Sequence, residues 1–338
     1  MMNVPKAKVF LASDYCQKLG GVKTTIENMK HSKLSEMFDV VAGELTLLDV
    51  LWGRLDADIM IINQACSWRK LPYLFALWLF KKKAKIAIIE HHYSAGFEKY
   101  KVPNRFRFRL MLRLCYGLAD RVIAVSERQA EWMQENNLVR PDKIKVIPPN
   151  TRLENFFKIP QKSADSPLNV VAYGRFCEQK GFDVLMEAMK LMPEDKVNLY
   201  VAGNGPMQGE LHELARELEN VTFCGRVDDI PSFLQQSDAV VIPSRWEPFG
   251  LVCMEAKAAG KPAIVSDIDG LSEQIQECGV LVPVEDPVKL AEAIARLSED
   301  DLLAWGQQGR DSLKQARESF LTQWKTFLCE LSDREVVP

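Results

Sequence analysis

The chain has 338 residues, 47% hydrophobic and 26% charged, with a formal net charge of −3; this is the composition of a folded globular protein of about two domains, not of a disordered or collagenous chain. Its longest apolar run, Leu71–Phe80, is broken by Pro72 and falls short of the roughly 18 residues that span a bilayer. Eight cysteines, at 16, 66, 115, 177, 224, 253, 278 and 329, form no Cys-x-x-Cys pair and none stands near a histidine at zinc-ligand spacing, so they read as reduced, mostly buried thiols.

The polar start, Met1–Lys8, runs straight into a strand-like stretch, and no secretory leader is expected. Short β-branched runs then recur at Lys8–Ala12, Asp39–Ala42, Asp58–Ile62, Lys85–Ile89, Arg121–Val125 and Lys143–Ile147, with helical periods between most of them. That alternation predicts an open parallel sheet covered by helices on both faces. Pro148-Pro149-Asn150 breaks the pattern, and the polar stretch 161–167 reads as a linker. The alternation restarts with strand Asn169–Tyr173, helix Phe182–Met192, strand Asn198–Ala202, helix Met207–Glu219, strand Ala239–Ile242, helix Gly250–Ala259 and strand Ala263–Val265. A helical tail follows over about 300–330, with Trp305 and Trp324 packing it down. Two doubly wound domains bind ligands beyond the carboxyl ends of their strands, so the loops there are where chemistry is expected.

Charge divides with the chain. Residues 1–150 hold 24 Lys+Arg and 15 Asp+Glu; the remainder holds 19 and 31. A basic first half predicts an anionic partner.

Four loops of the second half stand out. Gly174-Arg175-Phe176-Cys177-Glu178-Gln179-Lys180-Gly181 places a planar guanidinium and a mobile ammonium around one turn, a pairing suited to a pyrophosphate as well as to plain solvation. Gly203-Asn204-Gly205-Pro206 would let a ligand approach backbone, or simply make a tight turn. Phe223-Cys224-Gly225-Arg226-Val227 could set backbone groups on a nucleobase edge. In the fourth, Ser244–Glu255, Glu247 lies in a loop, Gly250-Leu251-Val252 opens a helix whose free N–H groups can cradle an anion, and Glu255 follows within that helix. Carboxylates beside an anion site make sense where neutral hydroxyls are gripped as well, as on a nucleotide-sugar; the bland alternative is two surface glutamates.

Glu247 and Glu255 around Pro-Phe-Gly-Leu resemble the paired glutamates of the retaining GT-B glycosyltransferases, in particular the large family-four (glycosyl transferases group 1) type. Gly174-Arg175…Lys180-Gly181, Val201–Pro206 and Asp269-Gly270-Leu271-Ser272-Glu273 follow that pattern in order and spacing. The resemblance is specific over about 168–285 and weaker before it. It implies an α/β GT-B fold, two Rossmann-like doubly wound domains facing each other across a cleft. Residues 1–150 would bind the acceptor, 151–310 the nucleotide-sugar, and 311–338 would form a helical tail returning toward the first domain. It also implies roles. Arg175 and Lys180 would hold the diphosphate and stabilise the leaving group. Glu247 would bind donor-sugar hydroxyls and Glu255 the ribose. Phe249, Gly250, Leu251 and Val252 would offer backbone N–H groups; Gly205, Arg226 and Val227 complete the donor side. Gly20-Gly21 resembles the glycine loop that approaches the donor phosphate, and His91 or His92 the histidine that contacts donor sugar or acceptor; which of the two is left open, beside a core or capping role. Pro149-Asn150-Thr151 departs from the family's Pro-Asn-Gly, and the chain is short for the family.

The reaction so implied is front-face substitution with retention, moving a hexose-type sugar from a nucleotide-sugar, UDP-linked by family frequency, to a glycan or lipid-linked acceptor. No cofactor or metal is expected: Asp56-Ala-Asp58 matches a metal motif of another glycosyltransferase fold but reads here as strand entry. The alternatives are an epimerase or hydrolase using Glu90 and His91, and a non-catalytic two-domain binder. Arg105, Arg109 and Arg113 recur every four residues beside Phe106, Phe108, Leu110, Met111 and Leu114, and Lys81-Lys82-Lys83 follows an apolar run. This reads equally as peripheral attachment of a cytoplasmic protein to an anionic membrane face and as a core helix with solvated arginines. With no interleaved aromatic-basic platform, nucleic acid is not an expected partner.

Overall fold

The computed structural model describes residues 6–12, 34–44, 56–81, 83–161, 167–297 and 299–332. The chain divides into two compact units, Met1–Thr151 with Ala316–Pro338, and Arg152–Gln315.

In the first unit six strands form one sheet: β1 (Ala7–Ala12), β2 (Phe38–Gly43), β3 (Ile59–Ile62), β4 (Lys85–Glu90), β5 (Arg121–Ala124) and β6 (Ile144–Val146). Their order is β2-β1-β3-β4-β5-β6, every pair parallel. Parallel strands need crossovers, and helices Leu71–Phe80, Arg105–Gly117 and Glu127–Glu135 supply them. β3 is buried along its length, which is why Ile59–Ile62 reads as an unbroken apolar run instead of an alternation. Asp58 accepts the Lys8 N–H at 2.8 Å and Asp56 pairs with the Lys8 ammonium. Both aspartates of the Asp-x-Asp triplet thus serve the entry of β3 beside β1.

The second unit holds β7 (Leu168–Arg175), β8 (Val197–Asn204), β9 (Val221–Gly225), β10 (Ala239–Ile242), β11 (Ala263–Ser266) and β12 (Gly279–Val282). The order is β12-β11-β10-β7-β8-β9, again parallel throughout. The chain winds one way from β7 to β9 and the other way from β10 to β12, so the switch point lies between β7 and β10. The core beneath it is built by Val170, Ala172, Phe176, Phe182, Leu185, Met186, Leu199 and Val241.

Two expectations are corrected. The helix expected over Met207–Glu219 stops at Leu214. Its continuation tightens into turns, Arg216 N–H to Glu213 O at 3.3 Å and Leu218 N–H to Ala215 O at 3.0 Å, because Asn220 must enter the sheet edge, where its amide donates to Val197 O at 2.9 Å. Phe223–Gly225, read as a loop, is the end of β9. The tail is helical as expected, in two helices, Glu299–Leu313 and Ala316–Leu331; the second buries Phe320, Trp324, Phe327 and Leu328 in the first unit.

Candidate functional site

The loops after β7 and β10 meet at the switch point of the second sheet. Lys180 follows β7 on a short 3₁₀ turn, and its ammonium pairs with the Glu247 carboxylate from the loop after β10. Both side chains are largely buried, at 18% and 13% exposure, so water screens the pair weakly. Glu247 is oriented from two further sides. Its backbone N–H donates to Asp269 Oδ2 at 3.0 Å, and its carbonyl accepts from the Gly270 N–H at 3.2 Å. Asp269 reaches this position at a φ of 45°, a conformation that aspartate tolerates better than most residues.

One helix supplies an anion site in geometry. Leu251–Ala258 begins at Gly250, whose φ of 95° suits only glycine readily, and among the described residues no side chain caps it. The first-turn N–H groups, those of Leu251 and Val252 among them, have no partner within the helix. Gln274 holds this start in place: its amide donates to Phe249 O at 2.5 Å. Glu255 lies one turn on. Tyr173, inside β7, donates its hydroxyl to Glu255 Oε2 at 2.8 Å. Burial pushes the Glu255 carboxyl up to about 7, while the Tyr173 hydrogen bond and the Lys180 charge both pull it down. A carboxylate so placed titrates near neutrality and keeps acceptor capacity for a diol.

Arg245 is the anchor beneath the loop. Its guanidinium is forked onto Asp183 at 2.6 and 2.9 Å, bonds Glu285 at 2.8 Å, and donates to Glu178 O at 2.9 Å. The Asp183 and Glu285 carboxylates raise its pKa further. Residue 245 thus ties the loop after β10 to the turn carrying Lys180.

The remaining site residues fall unevenly. Arg175 ends β7, exposed, and among the described residues its guanidinium meets no carboxylate. Arg226 is exposed and paired with Asp228 at 2.9 Å, and Val227 stands beside it. The space that a Cβ on Gly205 would need is filled by the chain itself: it would lie 2.3 Å from Phe176 O. This glycine, at φ 155°, serves packing of the loop after β8 against the loop after β7. Gly20 and Gly21 lie outside the described residues.

In the first unit His91 and His92 follow β4, and among the described residues each has a buried Nε2 without a hydrogen-bond partner. Burial, reinforced by His92, holds His91 down at about 3, so that it is neutral. Glu90 is saturated. It accepts from His92 N–H at 2.7 Å, Tyr93 N–H at 3.0 Å and Tyr116 hydroxyl at 2.7 Å. It holds the loop and is not free to act as the base that an epimerase would need. The arginine stripe is largely committed as well. Arg109 is bidentate to Glu98 at 2.6 and 2.8 Å, and Arg113 donates to the carbonyls of Asn136 and Asn137 at 2.9 and 3.1 Å. Only Arg105 of the three points to solvent without such a bond among the described residues.

Tyr173, Arg245, Asp269 and Gln274 were not singled out by sequence reasoning. Arg245 and Asp269 lie in the quoted loops, but nothing in their spacing shows which carboxylate or N–H they meet. Tyr173 sits inside a strand and carries no motif.

Known proteins match over most of the chain. The family described as "Glycosyl transferases group 1" matches residues 154–317, and "Glycosyltransferase Family 4" matches 41–154. A lipopolysaccharide core biosynthesis glycosyltransferase, LpsD of Rhizobium meliloti, is 33% identical over 189 residues, covering 54% of this chain and 52% of that one. An uncharacterized protein in the cps region of Klebsiella pneumoniae is 29% identical over 249 residues, covering 70% of this chain and 68% of that one. The chain therefore spans about half the length of LpsD. Among solved structures, sucrose-phosphate synthase of Thermosynechococcus elongatus superposes with a TM-score of 0.79 at 21% identity, covering 96% of this chain and 99% of that one. HepE of Anabaena, in complex with UDP and glucose, does so at 0.75 and 18%, covering 96% and 100%. At such identity the likeness is one of fold.

Proposed function

The chain belongs to the family-four GT-B glycosyltransferases, and from that premise we propose that it is a retaining hexosyltransferase moving sugar from a nucleotide-sugar to a glycan or lipid-linked acceptor in cell-surface polysaccharide or glycolipid assembly. One observation carries the reading. The Lys180–Glu247 pair, the uncapped start of helix Leu251–Ala258 and the Tyr173-held Glu255 stand together at the switch point of one sheet. Cation, backbone N–H groups and two carboxylates are what a diphosphate flanked by two hydroxyl-bearing rings requires.

In this reading the Lys180 ammonium and the Arg175 guanidinium neutralise the diphosphate as it leaves, helped by the N–H groups of Leu251 and Val252. A phosphate arriving at Lys180 competes with Glu247 for the ammonium and frees that carboxylate to accept donor-sugar hydroxyls. Glu255 accepts the ribose diol. The acceptor hydroxyl attacks on the face the diphosphate leaves, and a phosphate oxygen takes its proton, so no protein nucleophile is invoked. Catalysis is then positioning and charge stabilisation, with side chains instead of a metal supplying positive charge. The UDP and glucose held by HepE support a uridine donor, and LpsD supports a place in surface-glycan assembly. In this reading the enzyme works in the cytoplasm, and a lipid-linked acceptor would bring it to the inner membrane face.

A thermal-shift screen against UDP, GDP, ADP and their sugar conjugates tests the donor site. A ligand at 100 times its Kd stabilises the fold by about 2.7 kcal/mol. One nucleotide family should raise the melting temperature, and Glu255→Ala should abolish the rise; no shift with any of them would remove the donor assignment. With an acceptor in hand, Arg175→Ala and Lys180→Ala should each lower kcat by about 10²-fold, the scale for removing one preorganised donor. Near-normal turnover in either would remove that residue's role.

A further inference from the structure

Helix Leu71–Phe80 is apolar at every position, yet it buries only Leu74 and Leu77 fully. Phe75, Trp78, Leu79 and Phe80 are 50%, 43%, 57% and 47% exposed. Helix Arg105–Gly117 packs against it and adds a second apolar row at one-turn spacing: Phe106, 76% exposed, then Leu110 and Leu114. The Phe75 and Trp78 rings lie 5.7 Å apart, and the Arg107 guanidinium sits 5.8 Å from the ring centre of the exposed Trp68. Scattered exposed hydrophobics need no explanation, but large ones gathered on two adjoining helices mark an interaction surface.

The charge around these helices has one sign. No acidic residue occurs between Asp58 and Glu90, or between Glu98 and Asp120. The acids that bound these stretches are engaged: Asp120 holds Lys81 at 2.6 Å, Glu98 holds Arg109, and Glu90 is saturated from within. Arg69, Lys83, Arg105 and Arg107 are exposed, and among the described residues none of them forms an ion pair, Arg105 only lending its charge to Glu98 from a distance. Exposed aromatic and aliphatic side chains flanked in sequence by Lys and Arg suit the headgroup boundary of a bilayer carrying negative charge. A second copy docked symmetrically on the same surface would set these cations against each other.

We propose that helices Leu71–Phe80 and Arg105–Gly117 form a docking face for an anionic lipid surface, with Phe75, Trp78, Leu79 and Phe106 entering the headgroup region and Arg69, Lys83, Arg105 and Arg107 meeting lipid phosphates. The inference deepens the membrane part of the proposed function. It also replaces the arginine stripe as the contact surface, since Arg109 is paired with Glu98 and Arg113 is tied to the carbonyls of Asn136 and Asn137.

The test is co-sedimentation of the full chain with vesicles of phosphatidylcholine alone and of phosphatidylcholine mixed with phosphatidylglycerol, at low and high salt. Wild type should bind the mixed vesicles at low salt, bind at least tenfold more weakly at high salt, and ignore phosphatidylcholine. The double variant Phe75→Ser/Leu79→Ser should lose at least tenfold in binding while keeping its melting temperature, because both side chains are exposed. Arg105→Gln/Arg107→Gln should flatten the salt dependence. Absence of wild-type binding to mixed vesicles overturns the proposal, as does a double variant that binds like wild type. So does light scattering that shows a dimer made monomeric by Phe75→Ser/Leu79→Ser, which would make the occupant a second copy. The nucleotide thermal shift is read separately: its loss with vesicle binding intact sinks the donor reading alone, and the converse sinks only the docking face.

Discussion

Burial and chemistry pull Glu255 in opposite directions. Its site raises the carboxyl to about 7, yet gripping a diol calls for the ionised form. Unlike an exposed glutamate, it must be discharged of a proton near neutrality to work. Nucleotide affinity should therefore strengthen as pH rises from 6 to 8. The Tyr173 hydroxyl favours the charged form, so Tyr173→Phe should move that midpoint upward; isothermal titration with nucleotide across this range checks it, and an unmoved midpoint would deny Tyr173 its positioning role. Stability has the opposite sign. A carboxyl raised in the fold contributes stability that is complete below its unfolded value of about 4.3 and is lost as pH climbs through 7. Glu255→Gln should accordingly melt higher than wild type at pH 8 and no higher at pH 4. The glutamate itself was legible from its spacing after Glu247. Its titration near neutrality was not, because burial under elements distant in the chain raises it, and the Tyr173 hydroxyl that moderates the rise lies 82 positions away.

At the scale of elements, the loops after β7 and β8 act as one body. Phe176 N–H donates to Asn204 O at 2.8 Å, Met207 N–H donates to Phe176 O at 3.1 Å, and Gly205 lies against the Phe176 backbone. Gly205→Ala forces a Cβ into that carbonyl at an unfavourable φ, with a cost of about 2 kcal/mol or more. The displaced loop carries Arg175, so the variant should show both a lower melting temperature and a higher KM for the donor. A normal KM in a destabilised variant would separate packing from function here. Strand positions were readable from their β-branched runs, since central strands of a parallel sheet are buried on both faces. Helix ends were less so. Nothing local to residues 215–219 stops a helix; the pull of Asn220 into the sheet edge does. The arginine stripe fails for the same reason, because four-residue spacing shows that Arg105, Arg109 and Arg113 share a face and not that Glu98 and two carbonyls occupy it.

For the whole molecule, the last helix belongs to the first unit although it follows the second in sequence. Trp324 is 1% exposed, its neighbours Phe320 and Phe327 pack edge-on against it, and Lys145 of β6 lies 3.7 Å from Glu330. Trp324→Ala should cost about 3–5 kcal/mol, as for other large core truncations. Hydrogen exchange should then quicken in β5 and β6 and stay unchanged in β7 to β12. Uniform loosening of both sheets would contradict the division into units.

Two alternating strand-helix units and the order of the chemical loops follow from local patterns in the chain. Hydrophobic period and turn chemistry are local properties, and the paired glutamates with their glycine start lie within one short stretch. Tertiary structure decided what each charge does. Lys180 and Glu247 stand 67 positions apart, and Arg245 meets Asp183 and Glu285 across 62 and 40. A parallel sheet brings together the carboxyl ends of strands distant in the chain, and burial there sets which ions pair and which carboxyl holds its proton.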